Sequence, residues 1–199
     1  MAFVNQKNKE IQAKIVYYGP GMGGKTTNLE YIHRKFHNRI DSDMVCIRTH
    51  GDRTLFFDFL PFDIGNIMGY SVRIQIYTVP GQVSYNATRK LVLKGADGVV
   101  FVADSTSPRR DNNLYSLKNL QENLGLYRKD LFKIPLVFQY NKRDLKDGPL
   151  LSVKTMEKDL NSRLKAPCFE ASALNGVNVA ATLKAVISRT MSSLEHMIR

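Results

Sequence analysis

The chain has 199 residues, of which 43% are hydrophobic and 24% charged, a composition typical of a globular domain with a sizeable core. No apolar run approaches the roughly 18 residues that a membrane-spanning helix requires, so we expect no direct membrane anchor. The net charge of +11 is spread along the chain without a compact basic run. We therefore expect an acidic partner or surface, and no specific nucleic-acid binding.

The cysteine content bears on the compartment of the protein. Cys46 and Cys168 lie far apart, each in an apolar run, and this arrangement predicts two buried, reduced thiols. Reduced thiols are typical of the cytoplasm, where we place the protein. The length fits a single domain over residues 1–199, which we expect to be monomeric when free.

Short apolar segments alternate along the chain with segments of helical periodicity, and Gly, Asn or Asp stands at the junctions. In chain order, the predicted strands are 15–18, 55–60, 72–79, 98–103, 134–140 and 168–171. The predicted helices are 26–36, 112–127, 153–164 and 177–197. The second and third strands are candidates for a hairpin across 61–69. The alternation predicts an α/β fold of three layers, with a mostly parallel central sheet and helices on both faces.

The strongest motif is the glycine-rich segment 19–26, Gly-Pro-Gly-Met-Gly-Gly-Lys-Thr, between the first strand and the first helix. It matches the phosphate-binding P-loop, in which glycines turn backbone N–H groups toward phosphate oxygens. Lys25 would supply a positive charge to the β- and γ-phosphates, and the Thr26 hydroxyl would bind Mg²⁺. The candidate nucleotide-binding residues here are Gly19, Gly21, Gly23, Gly24, Lys25, Thr26 and Thr27.

A second motif, Asn-Lys-Arg-Asp over 141–144, follows the fifth predicted strand at the sheet edge where a base would lie. The Asp144 carboxylate can accept hydrogen bonds from the ring N–H and the exocyclic amine of guanine, which adenine does not offer in that arrangement. Asn141 would fix the loop, the Lys142 stem would cover the ring, and backbone N–H groups after the next strand would face the guanine oxygen. The candidate guanine-binding residues are Asn141, Lys142, Asp144, Ser172 and Ala173.

These motifs resemble those of the Ras-like small GTPases over nearly the whole chain, and they are similar in particular to the bacterial gliding-motility GTPase (MglA) family. The segments that carry the closer likeness are 14–21, 52–61, 77–82, 86–90 and 141–145. The resemblance implies the Ras-like P-loop NTPase fold. It also implies a switch that binds GTP or GDP with Mg²⁺ and hydrolyses GTP slowly.

Further site residues follow from the resemblance. Thr54 matches the threonine that reaches Mg²⁺ only when the γ-phosphate is present, so the implied metal-binding residues are Thr26 and Thr54. Arg53 matches an arginine that this family supplies from its own chain, and Gln82 matches the glutamine that orients the attacking water. These two are the implied catalytic residues, and the Gly81 N–H would contact the γ-phosphate.

One position departs from most small GTPases, although not from the MglA family. Thr78 stands where an acid usually holds Mg²⁺ through water, and a hydroxyl is a weaker partner than a carboxylate. Our hypothesis is that Asp58, on the neighbouring strand, supplies the missing charge. The departure also leaves open an alternative, a pseudo-GTPase that binds nucleotide as an interaction module without turnover.

The resemblance implies partners as well. An MglB-like homodimer of roadblock domains would stimulate GTP hydrolysis, and downstream effectors would act in cell polarity or motility. Such partners would recruit the cytoplasmic protein to a cell pole or to the inner membrane surface. A P-loop kinase or ATPase is the rival enzyme, but no arginine-rich lid segment is evident and the motif at 141–144 favours guanine.

Overall fold

Strands and helices alternate along the part of the chain that the computed structural model describes, residues 3–40, 44–48, 56–67 and 69–198. The strands are β1 (Phe3–Asn5), β2 (Glu10–Tyr18), β3 (Val45–Arg48), β4 (Phe56–Ile67), β5 (Tyr70–Thr78), β6 (Gly98–Asp104), β7 (Leu136–Asn141) and β8 (Cys168–Glu170). The helices are α1 (Lys25–Lys35), α2 (Asn86–Leu93), α3 (Arg110–Gly125), α4 (Val153–Met156) and α5 (Val179–Ile198). A π-helical turn continues α4, and short 3₁₀ turns precede α2 and α3.

The strands form one sheet in the order β3-β4-β5-β2-β6-β7-β8, and β1 pairs antiparallel with the start of β2. The run from β5 through β2, β6 and β7 to β8 is parallel, whereas β3, β4 and β5 pair antiparallel. The mostly parallel sheet predicted from the sequence is therefore confirmed. Parallel pairing brings the carboxyl ends of β2, β6 and β7 to one edge, which is where ligands bind in folds of this kind.

Alternate residues of β2 pack into two separate cores, one on each face of the sheet. Ile15 and Tyr17 lie with residues of α1 and α5. Val16 and Tyr18 lie on the opposite face with residues of α2, α3 and α4. Because helices cover both faces, the last four residues of β2 and all of β6 are buried. The predicted three-layer arrangement is confirmed.

The hairpin of β4 and β5 is present, but its connection is much shorter than the predicted 61–69. Ile67 pairs with Tyr70, and β4 runs straight through Pro61. Proline is tolerated in a strand where one edge has no neighbour. β3 pairs with β4 only as far as Phe59, so β4 is an edge strand from Pro61 onward within the described ranges.

The predicted helix 177–197 and strand 98–103 are confirmed within two residues, whereas β1, β3 and α2 were not predicted. The predicted helix 153–164 is replaced in its middle by the π-helical turn Glu157–Asn161. The predicted burial of Cys168 is wrong: the residue is exposed, on a strand that lies at the end of the strand order within the described ranges. The Cys46 side chain lies outside what the structure describes. No helix within the described ranges is long and apolar enough to cross a membrane.

Gly98 begins β6 at a point where α5 crosses close to the sheet. A Cβ here would lie 2.3 Å from Thr190 Oγ1. Gly98→Val should therefore lower the free energy of unfolding by ~1–3 kcal/mol, because the Thr190 side chain, or the helix that carries it, must shift to make room. Gly125→Ala at the end of α3 is the control, since open space surrounds that position. Urea denaturation measures both variants, and equal stability of the two would contradict the prediction.

Candidate functional site

A cleft of about 700 Å³ opens at the carboxyl edge of the sheet, between the glycine-rich loop, the end of β5 and the helices α2 and α3. The loop after β2 forms its floor, and the segment after β5 closes one side. Residues far apart in the chain therefore meet in one place. The polar side chains that line it include Lys25, Thr26, Thr27, Asp58, Thr78 and Gln82.

The glycine-rich loop packs so tightly that side chains are excluded at positions such as Gly24 within the loop and Gly81 beside it. Gly24 caps α1 with φ 98°, and a Cβ there would lie 2.1 Å from Asn141 Nδ2. A Cβ at Gly81, after β5, would lie 2.1 Å from the backbone nitrogen of Gly21. The loop is thus wedged between two other segments of the site, and only backbone atoms fit at these contacts.

Lys25 lies buried inside this loop. Its Nζ donates hydrogen bonds to the Gly19 carbonyl at 3.1 Å and to the Pro20 carbonyl at 2.7 Å. Burial, with a smaller contribution from the positive charges of Arg89 and Arg109, lowers the pKa of Lys25 to about 7, and Asp58 acts in the opposite direction. The cleft therefore favours an anion, whose charge would stabilise the ammonium form.

The Asp58 carboxylate lies between two threonine hydroxyls at the base of the cleft. Its Oδ2 accepts hydrogen bonds from Thr26 Oγ1 at 2.6 Å and from Thr78 Oγ1 at 2.8 Å. The backbone N–H of Asp58 donates to Thr78 Oγ1 at 2.9 Å, and Asp58 is buried. A carboxylate and hydroxyl oxygens are the hard donors that Mg²⁺ prefers, so the residues present fit a magnesium ion.

The Asn141 side chain joins the two halves of the candidate site. Its Nδ2 donates to the Gly23 carbonyl at 2.8 Å, and its Oδ1 accepts from the Ala173 backbone N–H at 2.8 Å. Ser172, next to Ala173, is buried. The loop after β7 and the loop after β8 are thereby held against the glycine-rich loop.

The rest of the loop after β7 is held from two sides. Lys142 adopts φ 69°, and its Nζ donates to the fully buried Asp104 carboxylate at 2.7 Å. The backbone N–H of Arg143 donates to the Ala171 carbonyl at 3.0 Å, and its Nη1 donates to the Leu151 carbonyl at 2.8 Å. Asp144, at the end of this loop, is half-buried.

The structure describes one of the two predicted catalytic residues, Gln82, but not the other, Arg53. Gln82 lines the cleft with an exposed side chain, and its backbone carbonyl accepts a hydrogen bond from Arg89 Nη1 at 2.8 Å. Arg53 and Thr54 lie outside the described residues, so the structure neither places them in the cleft nor separates them from it.

Sequence reasoning missed three charged residues of the site. Arg89 on α2 is buried and lines the cleft. Arg109 also lines it, donates through Nη2 to the Gly21 carbonyl, and has its Nε 3.9 Å from Asp104 Oδ2. Asp104 ends β6 at the ligand-binding edge, a position that could have singled it out. No pattern in the sequence distinguished the two arginines from surface charges.

Lys25 should make the stability of the ligand-free protein depend on pH. Its pKa is about 7 in the folded chain and 10.5 without the fold, so between these values the unfolded chain binds more protons at this position. The free energy of unfolding should therefore rise as pH increases from about 7 toward 10, and Lys25→Met should lose this rise. Urea denaturation across that range measures the difference, and parallel pH profiles of the two proteins would contradict it.

The sequence is similar to known proteins over most of its length. The Ras family model matches residues 14–192. The chain is 51% identical over 195 residues to the mutual gliding-motility protein MglA of Myxococcus xanthus, with 98% of both chains covered. It is also 26% identical over 188 residues to the Ras-related protein Rab7 of Drosophila melanogaster, with 94% of this chain and 84% of that protein covered. The chain therefore belongs to the Ras family and, within it, to the bacterial gliding-motility GTPase (MglA) family.

Proposed function

We propose that the protein is a regulatory GTPase, which binds GTP or GDP with Mg²⁺, hydrolyses GTP slowly and acts as a nucleotide-dependent switch. The observation that carries this proposal is the buried Lys25 in a loop that the Asn141 side chain joins to the second motif. A cation in a glycine-rich loop fits a polyphosphate, and the adjoining loop fits a purine. Family membership supports the same conclusion.

Guanine selectivity is assigned to the loops after β7 and β8. Asp144 would accept the two N–H groups of guanine, and adenine would leave this carboxylate without a partner. The Lys142 ion pair with Asp104 supports this assignment, because it fixes the lysine whose stem would cover the ring. Asn141, bonded to the backbone of Ala173, would keep that N–H close to the guanine oxygen.

The phosphate end is assigned to the glycine-rich loop and its neighbours. Mg²⁺, when bound, would neutralise charge on the phosphate oxygens. The side chains of Thr26 and Thr54 would bind the ion, and Asp58 would supply the charge that Thr78 lacks. The short hydrogen bonds of Asp58 to both threonines support this part of the proposal, because they put a carboxylate beside the Thr26 hydroxyl.

Hydrolysis is assigned to Gln82 and Arg53. Gln82 would orient the attacking water, and the backbone N–H of Gly81 would contact the γ-phosphate. Gly81 packs directly on Gly21 of the glycine-rich loop. Arg53 would stabilise the charge that develops on the transferred phosphoryl group. The assignments of Arg53 and Thr54 rest on the resemblance to the MglA family.

The cellular role follows from the relatives. A protein that is 51% identical is named a mutual gliding-motility protein, so we place this switch in cell polarity or gliding motility. An MglB-like homodimer of roadblock domains would act as the GTPase-activating protein, and polarity or motility effectors would bind downstream. The protein would be a cytoplasmic monomer when free, recruited to a pole or to the inner membrane surface by these partners.

One observation favours a second candidate. Thr78 replaces the usual acid, which suits a pseudo-GTPase that holds nucleotide without turnover. The contact of Asp58 with Thr78 weighs against the pseudo-GTPase, since a carboxylate is still present beside this position, on the neighbouring strand.

Phosphate release from GTP tests the catalytic assignments. The wild type should turn over slowly, at about 10⁻⁴ to 10⁻² per second, and a roadblock-type partner should accelerate it. Arg53→Ala and Gln82→Leu should each lose most of this activity while still binding GTP, because each removes a group that acts on the transferred phosphate. Gln121→Leu, on the exposed face of α3, is the control for the second variant.

If wild type and variants bind GTP but none releases phosphate with or without the partner, the protein is a binding module and both catalytic roles are withdrawn. If only Arg53→Ala retains full turnover, the assignment of that arginine alone is lost.

Asp58→Asn tests the magnesium assignment. Loss of the charge should raise the Mg²⁺ concentration needed for half-maximal GDP retention by about 10–100-fold, the usual effect of removing such a supporting group. Asp63→Asn is the control, because Asp63 lies on the same strand and its carboxylate accepts a local hydrogen bond from Gly65 N–H at 2.7 Å. An unchanged Mg²⁺ requirement in Asp58→Asn would refute the assignment.

A further inference from the structure

A chain of hydrogen bonds runs through the core from β2 to the first residue of α2. Tyr18 Oη donates to Asn119 Oδ1 at 2.7 Å, and Asn123 Nδ2 lies 3.2 Å from Tyr18 Oη. Asn86 Oδ1 accepts from Asn119 Nδ2 at 3.2 Å and from Asn123 Nδ2 at 2.9 Å. We call these four residues, Tyr18, Asn86, Asn119 and Asn123, the Tyr18 relay.

The relay lies in the apolar core between the sheet and α3. Tyr18, Asn119 and Asn123 are all at least 95% buried, among residues such as Leu120 and Leu124. Burial raises the pKa of Tyr18 to about 12, so its hydroxyl keeps the proton that it donates. Buried amides in apolar surroundings are costly unless every member is paired, so the relay favours one arrangement of the elements that it joins.

The two ends of the relay lie at functionally distinct segments. Tyr18 directly precedes Gly19, the first residue of the glycine-rich loop. Asn86 begins α2, and Arg89, one turn later, donates to the Gln82 carbonyl at 2.8 Å. A continuous series of contacts therefore connects the strand that carries the phosphate-binding loop with the segment that carries Gln82.

We propose that the Tyr18 relay positions α2, and through Arg89 the backbone of Gln82, relative to the phosphate-binding loop. Tyr18, Asn119 and Asn123 are then positioning residues for hydrolysis, and no member of the relay is among the described residues that line the cleft. The inference rests on the proposed function, since it assigns a task to Gln82. A relay that only stabilised the fold would affect unfolding and leave turnover and the state of α2 unchanged.

The neighbouring tyrosine provides a matched control. Tyr17 is also fully buried on β2, but its hydroxyl has no hydrogen-bond partner among the described residues. Tyr18→Phe removes the hydroxyl that starts the relay, whereas Tyr17→Phe removes one that makes no such bond. Asn86→Ala is a second variant, which removes the hydrogen bonds between α2 and the relay while the bond between Tyr18 and Asn119 remains, so that it should fold even if Tyr18→Phe does not.

A fluorescent reporter separates the position of α2 from catalysis. The chain contains no tryptophan, and Leu91 on α2 is 54% exposed, so Leu91→Trp introduces a single reporter on this helix. In that background, emission is compared between the GDP-bound protein and the protein bound to a non-hydrolysable GTP analogue. Thermal unfolding, GDP affinity and the rate of phosphate release at saturating GTP are measured on the same variants, with Gln82→Leu in parallel.

We expect Tyr18→Phe and Asn86→Ala to lower the rate at saturating GTP about tenfold or more, because a small misplacement of a water-orienting group is costly. GDP affinity should stay within about twofold, and the emission difference between the two nucleotide states should shrink. Tyr17→Phe should match the reporter protein in all of these measurements.

The proposal is overturned if Tyr18→Phe and Asn86→Ala only lower the unfolding temperature and keep the rate and emission of Tyr17→Phe. A different result would separate the two proposals. If the emission difference between the nucleotide states shrinks in Tyr18→Phe and Asn86→Ala but Gln82→Leu hydrolyses GTP like the wild type, the relay positions α2 and the catalytic role of Gln82 is wrong.

Discussion

The buried ammonium group of Lys25 is the constraint on which the rest of the site depends. Two backbone carbonyls of its own loop hold it, and the nearby Arg89 and Arg109 add positive charge. Concentrated positive charge in a buried cleft is unfavourable until an anion enters, so the fold and a phosphate ligand stabilise one another. The loop can take this form only because Gly24 leaves room for the Asn141 side chain and Gly81 leaves room for the backbone of Gly21.

At the same edge of the sheet, a carboxylate on β4 lies beside the position on β5 where most small GTPases carry an acid. In the pairing of β4 with β5, Phe59 faces Tyr77, so Asp58 comes to lie opposite Thr78. Two hydrogen bonds then connect Asp58 with Thr78, and a third connects it with Thr26 at the start of α1. An antiparallel hairpin attached to a parallel sheet thus brings a carboxylate to the phosphate end from a second direction.

Particular residues show how far sequence patterns reach. The buried strand β6 and the helix α5 were predicted because one is continuously apolar and the other repeats apolar residues at helical spacing. β1, β3 and α2 were missed because three to eight residues are too few for a periodic signal. Cys168 was misplaced because an apolar neighbourhood along the chain does not reveal that its strand lies at the sheet edge.

The sequence by itself indicated the alternation of the longer strands and helices, the family, and those candidate site residues that lie in contiguous motifs, namely the loop at 19–26 and the loop at 141–144. Such motifs are readable because their chemistry requires fixed spacing along the backbone. The tertiary structure alone decided that Asp58 reaches Thr26, that Arg89 and Arg109 enter the cleft, and that Tyr18 connects to Asn86. These partners are separated by tens of residues, and only the packing of helices on both faces of the sheet brings them within hydrogen-bond distance or into one cleft.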